Sequence, residues 1–177
     1  MACVDHAAAA MRALLPTHDS IQEFEKARHE RLWDGMTLWV EGHRESAAGA
    51  AYLLGYFVEM ALKCAYFWVL GLRISDSVTG QELQVARAKA KLLGVTTPAE
   101  SYHSVRFWAD LLRTHRRAAN DPLAPTLEQR LVAEADIVYD RWWVEMRYKA
   151  NRTTAPGLER LLEAAEWFDR AYSELYT

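Results

Sequence analysis

Ala47-Ala48-Gly49-Ala50-Ala51-Tyr52-Leu53-Leu54-Gly55-Tyr56-Phe57-Val58-Glu59-Met60-Ala61-Leu62-Lys63-Cys64-Ala65-Tyr66-Phe67-Trp68-Val69-Leu70 lies within 27 residues, between Glu45 and Arg73, whose only charges are Glu59 and Lys63. Its length would suit a membrane span. Two mid-span charges oppose that, at about 2.5–3.5 kcal/mol each on insertion scales. The flanking segments are amphipathic, and each needs an apolar partner to bury its stripe. A helix that is apolar nearly all round is what a bundle wraps around. The expectation is an all-α, up-and-down helical bundle with this segment at its centre, about four long helices, one or two short ones and no membrane span.

Working outward, start and stop signals divide the rest. Ser20-Ile21-Gln22-Glu23, Thr79-Gly80-Gln81-Glu82, Thr97-Pro98-Ala99-Glu100 and Thr126-Leu127-Glu128-Gln129 each fit a capping box, in which a hydroxyl accepts an early helical N–H and the Glu or Gln reaches back. Helices are expected over 21–43, 46–71, 81–93, 99–118, 127–148 and 156–176, with a short Ala-rich one over 5–15 stopped by Pro16. Gly71 and Gly94 mark two ends. The last helix has the cleanest rhythm, with Leu158, Leu161, Leu162, Ala165, Phe168, Tyr172 and Leu175 three or four apart. No repeat and no strand alternation interrupts the pattern. One helical domain is expected over 1–177, with 1–18 an N-terminal extension and 19–177 the bundle.

Composition agrees. The 177 residues are 51% hydrophobic and 25% charged, which excludes a disordered chain. Eight Gly and five Pro are few against an ordinary share of about 12%, too few for the many turns of an all-β fold. The net charge of −3 excludes a globally basic nucleic-acid binder, yet residues 82–117 hold seven basic and three acidic side chains. Such a surplus is either a solvated helix face or a nucleic-acid contact. Cys3 and Cys64 are the only cysteines, too few for a disulfide framework or a zinc site. The opening Met1-Ala2-Cys3-Val4-Asp5-His6 lacks the basic stretch of a secretory signal, so a cytoplasmic protein is expected.

Chemistry-bearing residues are sparse. Glu59 and Lys63 stand at i and i+4 in the favourable order; they are either a buried bridge to a neighbouring helix or a polar site opening into a groove. Arg147, Tyr148, Lys149 and Arg152 cluster at an expected helix end, where cations complement the dipole or offer a phosphate or acidic-partner site. Arg113-Thr114-His115-Arg116-Arg117 reads as another helix C-terminus. Trp142 and Trp143 are adjacent and must face different ways, one into the core and the other into the core or a dimer surface. No glycine-rich phosphate loop, Gly-x-Ser-x-Gly, His-Glu-x-x-His or Cys/His metal spacing occurs. Asp136 and Asp140 share a helix face without the Glu-x-x-His of a di-iron bundle. Neither metal nor cofactor is expected.

Three stretches resemble one family. Ala51 to Lys63, with its Gly55-Tyr56 step and Glu59-x-x-x-Lys63, resembles a signature of HEPN-domain proteins. Tyr102-His103-Ser104-Val105 followed by Leu111-Leu112 is similar to the His-x-Leu and Leu-Leu start of a later family helix. Trp142-Trp143-Val144-Glu145-Met146-Arg147-Tyr148 is similar to a Trp-x-x-x-x-Arg-Tyr segment before the final helix. With their spacers they span roughly Ser20 to Tyr176 and occur in the family's order.

The resemblance implies a helical bundle that forms a homodimer and binds RNA, a nucleotide or a partner protein. It also implies a possible place in a toxin–antitoxin pair with a nucleotidyltransferase-type partner. Its nucleases depend on Arg-x(4–6)-His, in which the histidine moves the proton and the arginine steadies phosphate charge. Here Arg147 is followed at that spacing by Arg152, and no histidine follows His115; the one literal match, Arg12-x5-His18, straddles Pro16. Arginine keeps its proton in proteins. The leading expectation is therefore a non-catalytic dimer whose ligand site comprises Arg147, Tyr148, Lys149, Arg152, Glu59 and Lys63. The alternative is a divergent metal-independent ribonuclease that pairs Arg147 with His103; a surface or capping role is the plainer reading of that histidine.

Overall fold

The computed structural model describes residues 19–40, 46–96, 101–142 and 153–177. Among them are six α-helices: α1 (Ile21–Val40), α2 (Ala47–Val69), α3 (Gly80–Leu92), α4 (Val105–Ala118), α5 (Pro125–Arg141) and α6 (Ala155–Tyr176), with a 3-10 turn over Ser101–His103. The chain is an all-α helical bundle. A two-residue antiparallel ladder, β1 (Asp19–Ser20) with β2 (Ser77–Val78), is a small addition to the expected elements and ties the start of α1 to the loop after α2.

The apolar stretch is the centre. α2 touches α1, α4 and α6 and grazes α5; Leu54, Phe57, Val58, Ala61, Leu62, Ala65, Tyr66 and Phe67 are fully enclosed. Tyr66 and Phe67 pack against Trp108 of α4 with ring centroids 5.7 and 5.8 Å apart, within the range of favourable tilted aromatic pairs. From α6, Leu158, Leu161, Phe168 and Leu175 close the other side. No described helix is long and apolar enough to cross a membrane.

The helix signals act as physical stops. Ser20 and Glu23 exchange reciprocal bonds, with the Glu23 N–H donating to Ser20 Oγ at 3.2 Å and the Ser20 N–H to Glu23 Oε2 at 2.7 Å. Thr79 and Glu82 form the second box. Beyond α2, Gly71 turns to φ +86, and the Leu72 N–H reaches back to the Phe67 carbonyl at 3.0 Å. Gly94 repeats this after α3, with φ +71 and a bond from the Val95 N–H to Ala90 at 2.9 Å. Both are Schellman ends, which need a left-handed residue.

Four expectations change. The box at Thr126 is absent: α5 starts at Pro125 after Ala124, with no side-chain cap, because proline's fixed φ suits the first helical position. The helix expected over 99–118 starts only at Val105, since Ser104 Oγ accepts the Phe107 N–H and Tyr102-His103 form the preceding tight turn. The helix expected to reach Tyr148 stops at Arg141, with Trp142 extended at φ −131, ψ 137. The last helix starts one residue early, at Ala155 behind a Thr154 cap. The expected helix over 5–15, the extension 1–18 and the box at Thr97 lie outside the described residues.

Candidate functional site

Glu59 and Lys63 lie on a buried stretch of α2, where neither charge has water to compensate it. Their i, i+4 spacing lets them satisfy each other. The Lys63 ammonium donates to Glu59 Oε1 in a short contact, with the carboxylate fully enclosed and the lysine side chain 9% exposed. Lys63 Nζ also stands over the Trp108 ring, 5.7 Å from its centroid, where the aromatic face favours a cation.

A third group completes the cluster from 44 residues away. His103 Nδ1 lies 3.2 Å from Glu59 Oε1 and 3.4 Å from Oε2, while its side chain stays half exposed. A carboxylate can only accept, so in this contact Nδ1 is the donor and Nε2 is the ring nitrogen left without this partner. The turn carrying His103 is fastened from both sides. Trp108 Nε1–H donates to the Tyr102 carbonyl at 3.2 Å, and the Arg87 guanidinium lies 5.3 Å from the Tyr102 ring centroid. Of the two readings of Glu59 and Lys63, the geometry gives an intrahelical bridge that also reaches a neighbouring turn. That arrangement orients a solvent-facing imidazole.

One helical turn before Glu59, on the same face, Gly55 receives the Trp142 indole. An added Cβ there would fall within 3.0 Å of three Trp142 ring atoms, and Trp142 Nε1–H donates to the Tyr52 carbonyl at 3.0 Å. Trp142 is 2% exposed and so is the core member of its tryptophan pair. The structure thus joins Glu59, Lys63 and His103, with Trp142 one turn away. Arg147, Tyr148, Lys149 and Arg152 lie outside the described residues, as does Trp143.

The basic surplus of 82–117 resolves into two parts. Arg106 bridges Asp136 at 2.5 Å and Asp140 at 3.7 Å, which accounts for the shared face of those aspartates. Arg113 and Arg117 converge on Glu128, at 3.4 and 2.6 Å. Arg116 is buried and donates to the Asp121 and Leu175 carbonyls at 2.9 and 3.0 Å, so the run at the end of α4 clamps a helix end. Arg87, Lys89 and Lys91 on α3 have no carboxylate in ion-pair range among the described residues.

A second polar cluster gave no signal in the sequence, because its members sit on three helices. Glu25 accepts from the Tyr172 hydroxyl and, at 3.2–3.3 Å, from Arg28. Arg28 also bridges Asp169 at 3.2 Å and stacks 3.9 Å from the Tyr172 centroid. Burial, and then the nearby Glu25 charge, push the Cys64 thiol up to about 12, and burial above all raises the Tyr172 hydroxyl far above its ordinary value. This network fastens α1 to α6 and leaves no reactive thiolate. No grouping of His, Cys, Asp and Glu suited to a metal occurs among the described residues.

No family model matches the chain, and no curated protein or solved structure matches it.

Proposed function

We propose that this chain is a HEPN-like bundle that binds a phosphate-bearing ligand, RNA or a nucleotide, through Arg147, Tyr148, Lys149 and Arg152 together with Glu59 and Lys63. The observation that supports the reading is a convergence. The three stretches that carry the resemblance are far apart in sequence, yet Glu59 of the first, paired with Lys63, touches His103 of the second. Trp142, which opens the third, seats on Gly55 one turn away. In sequence, Arg147, Tyr148, Lys149 and Arg152 follow Trp142 within ten residues. In this reading the protein is a homodimer, its partner protein is of the nucleotidyltransferase type, and RNA cleavage of the family's usual kind is absent, since Arg152 stands in the histidine's place.

The test is fluorescence polarisation of the full chain with single-stranded RNA, run alongside Arg147→Ala and Lys149→Ala. Each lost phosphate contact should weaken binding and flatten its salt dependence by roughly one unit of log–log slope. Robust RNA cleavage in the presence of a chelator would overturn the non-catalytic reading.

The contact between His103 and Glu59 favours one second reading, a divergent ribonuclease. An imidazole held by a buried carboxylate at Nδ1 presents Nε2 as a base to a 2′-hydroxyl. Cleavage that survives His103→Ala would end it.

A further inference from the structure

Where α5 ends and α6 begins, the fold leaves an open cleft of about 580 Å³ whose lining includes Asp140, Arg141, Thr153, Thr154, Gly157 and Arg160. That volume lies within the range of small-molecule sites, and its polar groups are unusually uncommitted. Arg141 gives one N–H to the Ile137 carbonyl at 3.2 Å and has no carboxylate in ion-pair range among the described residues. Among the described residues the ion-pair partner of Arg160 is Glu163, a pair in which both side chains are more than half exposed, and such exposed pairs are weak enough to be given up. Thr153 Oγ1 is shielded from solvent and has no hydrogen-bond partner, which is uncommon for a buried hydroxyl.

Asp140, the acidic group among the described lining residues, is drawn elsewhere, since its carboxylate lies 3.7 Å from Arg106 on α4. The first turn of α6 adds little hydrogen bonding of its own. The Gly157 N–H is taken by Thr154 Oγ1 at 3.2 Å, and Pro156 has no N–H. What it adds is the positive end of a 22-residue helix. Two guanidinium forks beside a helix N-terminus in one cleft together suit a small multivalent anion with tetrahedral oxygens.

From this we infer that the cleft between α5 and α6 seats a phosphomonoester, the phosphate of a free nucleotide or of a phosphorylated RNA end, on Arg141 and Arg160. The inference deepens the proposed function and rests on it.

Three probes and four variants test it. The full chain is titrated by polarisation with a roughly 12-nucleotide RNA bearing a 5′-phosphate, with the same RNA bearing a 5′-hydroxyl, and by calorimetry with adenosine monophosphate. The expected result is tighter binding of the phosphorylated RNA than of its hydroxyl twin. Arg141→Gln should weaken that binding about tenfold, the worth of one charge-assisted hydrogen bond. Arg160→Gln should weaken it by less, and Arg170→Gln, roughly 15 Å further along α6, not at all. Binding of the monophosphate at the same site marks a free nucleotide as the source; binding of phosphorylated RNA alone marks an RNA end. Equal affinity for the two RNAs, or an unchanged Arg141→Gln, overturns the seat. If the wild-type protein binds none of the probes, the functional reading fails with it. If Arg147→Ala loses RNA while Arg141→Gln keeps it, only the seat fails.

Discussion

Replacing Gly55 by alanine should destabilise the fold, although alanine is the better helix former. On an open helix surface the change gains about 1 kcal/mol. At Gly55 the new methyl would lie within 3.0 Å of Cγ, Cδ1 and Cδ2 of Trp142, and an indole is a rigid ring that cannot bend away as the tip of a flexible chain can. The ring must move, which costs about 1–3 kcal/mol in overpacking. Moving it also breaks the bond from Nε1–H to the Tyr52 carbonyl, worth about 1 kcal/mol. Set against the helix-forming gain, the net loss is about 1–3 kcal/mol, equivalent to a melting temperature lower by roughly 2–12 °C in a chain of this size.

Gly49→Ala is the matched control. There the added methyl meets nothing nearer than Leu38 Cδ1 at 3.5 Å, so it should stabilise by about 1 kcal/mol. Urea denaturation followed by far-ultraviolet circular dichroism reads both. In a Trp142→Ala background the clash is gone, and Gly55→Ala should turn neutral or stabilising, a coupling of about 1–4 kcal/mol. If Gly55→Ala instead behaves like Gly49→Ala in the wild-type background, Trp142 does not occupy the notch. The convergence that supports the proposed function then loses its third member.

Two further outcomes follow from the buried charges. Glu59→Gln leaves the Lys63 ammonium enclosed without a counter-charge and should cost about 3–5 kcal/mol in urea denaturation, whereas adding Lys63→Met should restore much of it; a neutral Glu59→Gln would mean the pair is hydrated. Desolvation, and then the Lys89 charge, hold the His115 imidazole below its ordinary value. The folded state therefore resists a proton that the unfolded chain accepts, so stability should fall as pH drops through and below the ordinary histidine range. His115→Gln should flatten that part of the stability–pH curve, and an unchanged slope would place its origin elsewhere.

Much of the helical frame was legible because its signals are local. The boxes at Ser20 and Thr79 and the left-handed stops at Gly71 and Gly94 depend on residues within one or two turns. Legibility failed where a local rule met a competitor. Thr126 lost to the proline one residue before it. Ser104 took the start of α4 because its hydroxyl is in reach of the Phe107 N–H. The run of Leu131, Val138 and Trp142 keeps a helical rhythm, but it ends in fact at Arg141. Only a notch on another helix shows why.

The sequence by itself determined an all-α bundle wrapped around one apolar helix, because periodicity, capping and the scarcity of glycine and proline are properties of neighbouring residues. It also marked Glu59, Lys63 and His103 as separate candidates. The tertiary structure decided that these three form one cluster, that the arginines of α4 are spent on partners, and that Arg141, Thr153 and Arg160 share a cleft. Such facts depend on contacts between residues tens of positions apart. Helix packing sets those contacts by shape and burial, and no short-range pattern encodes which distant carboxylate a histidine will meet.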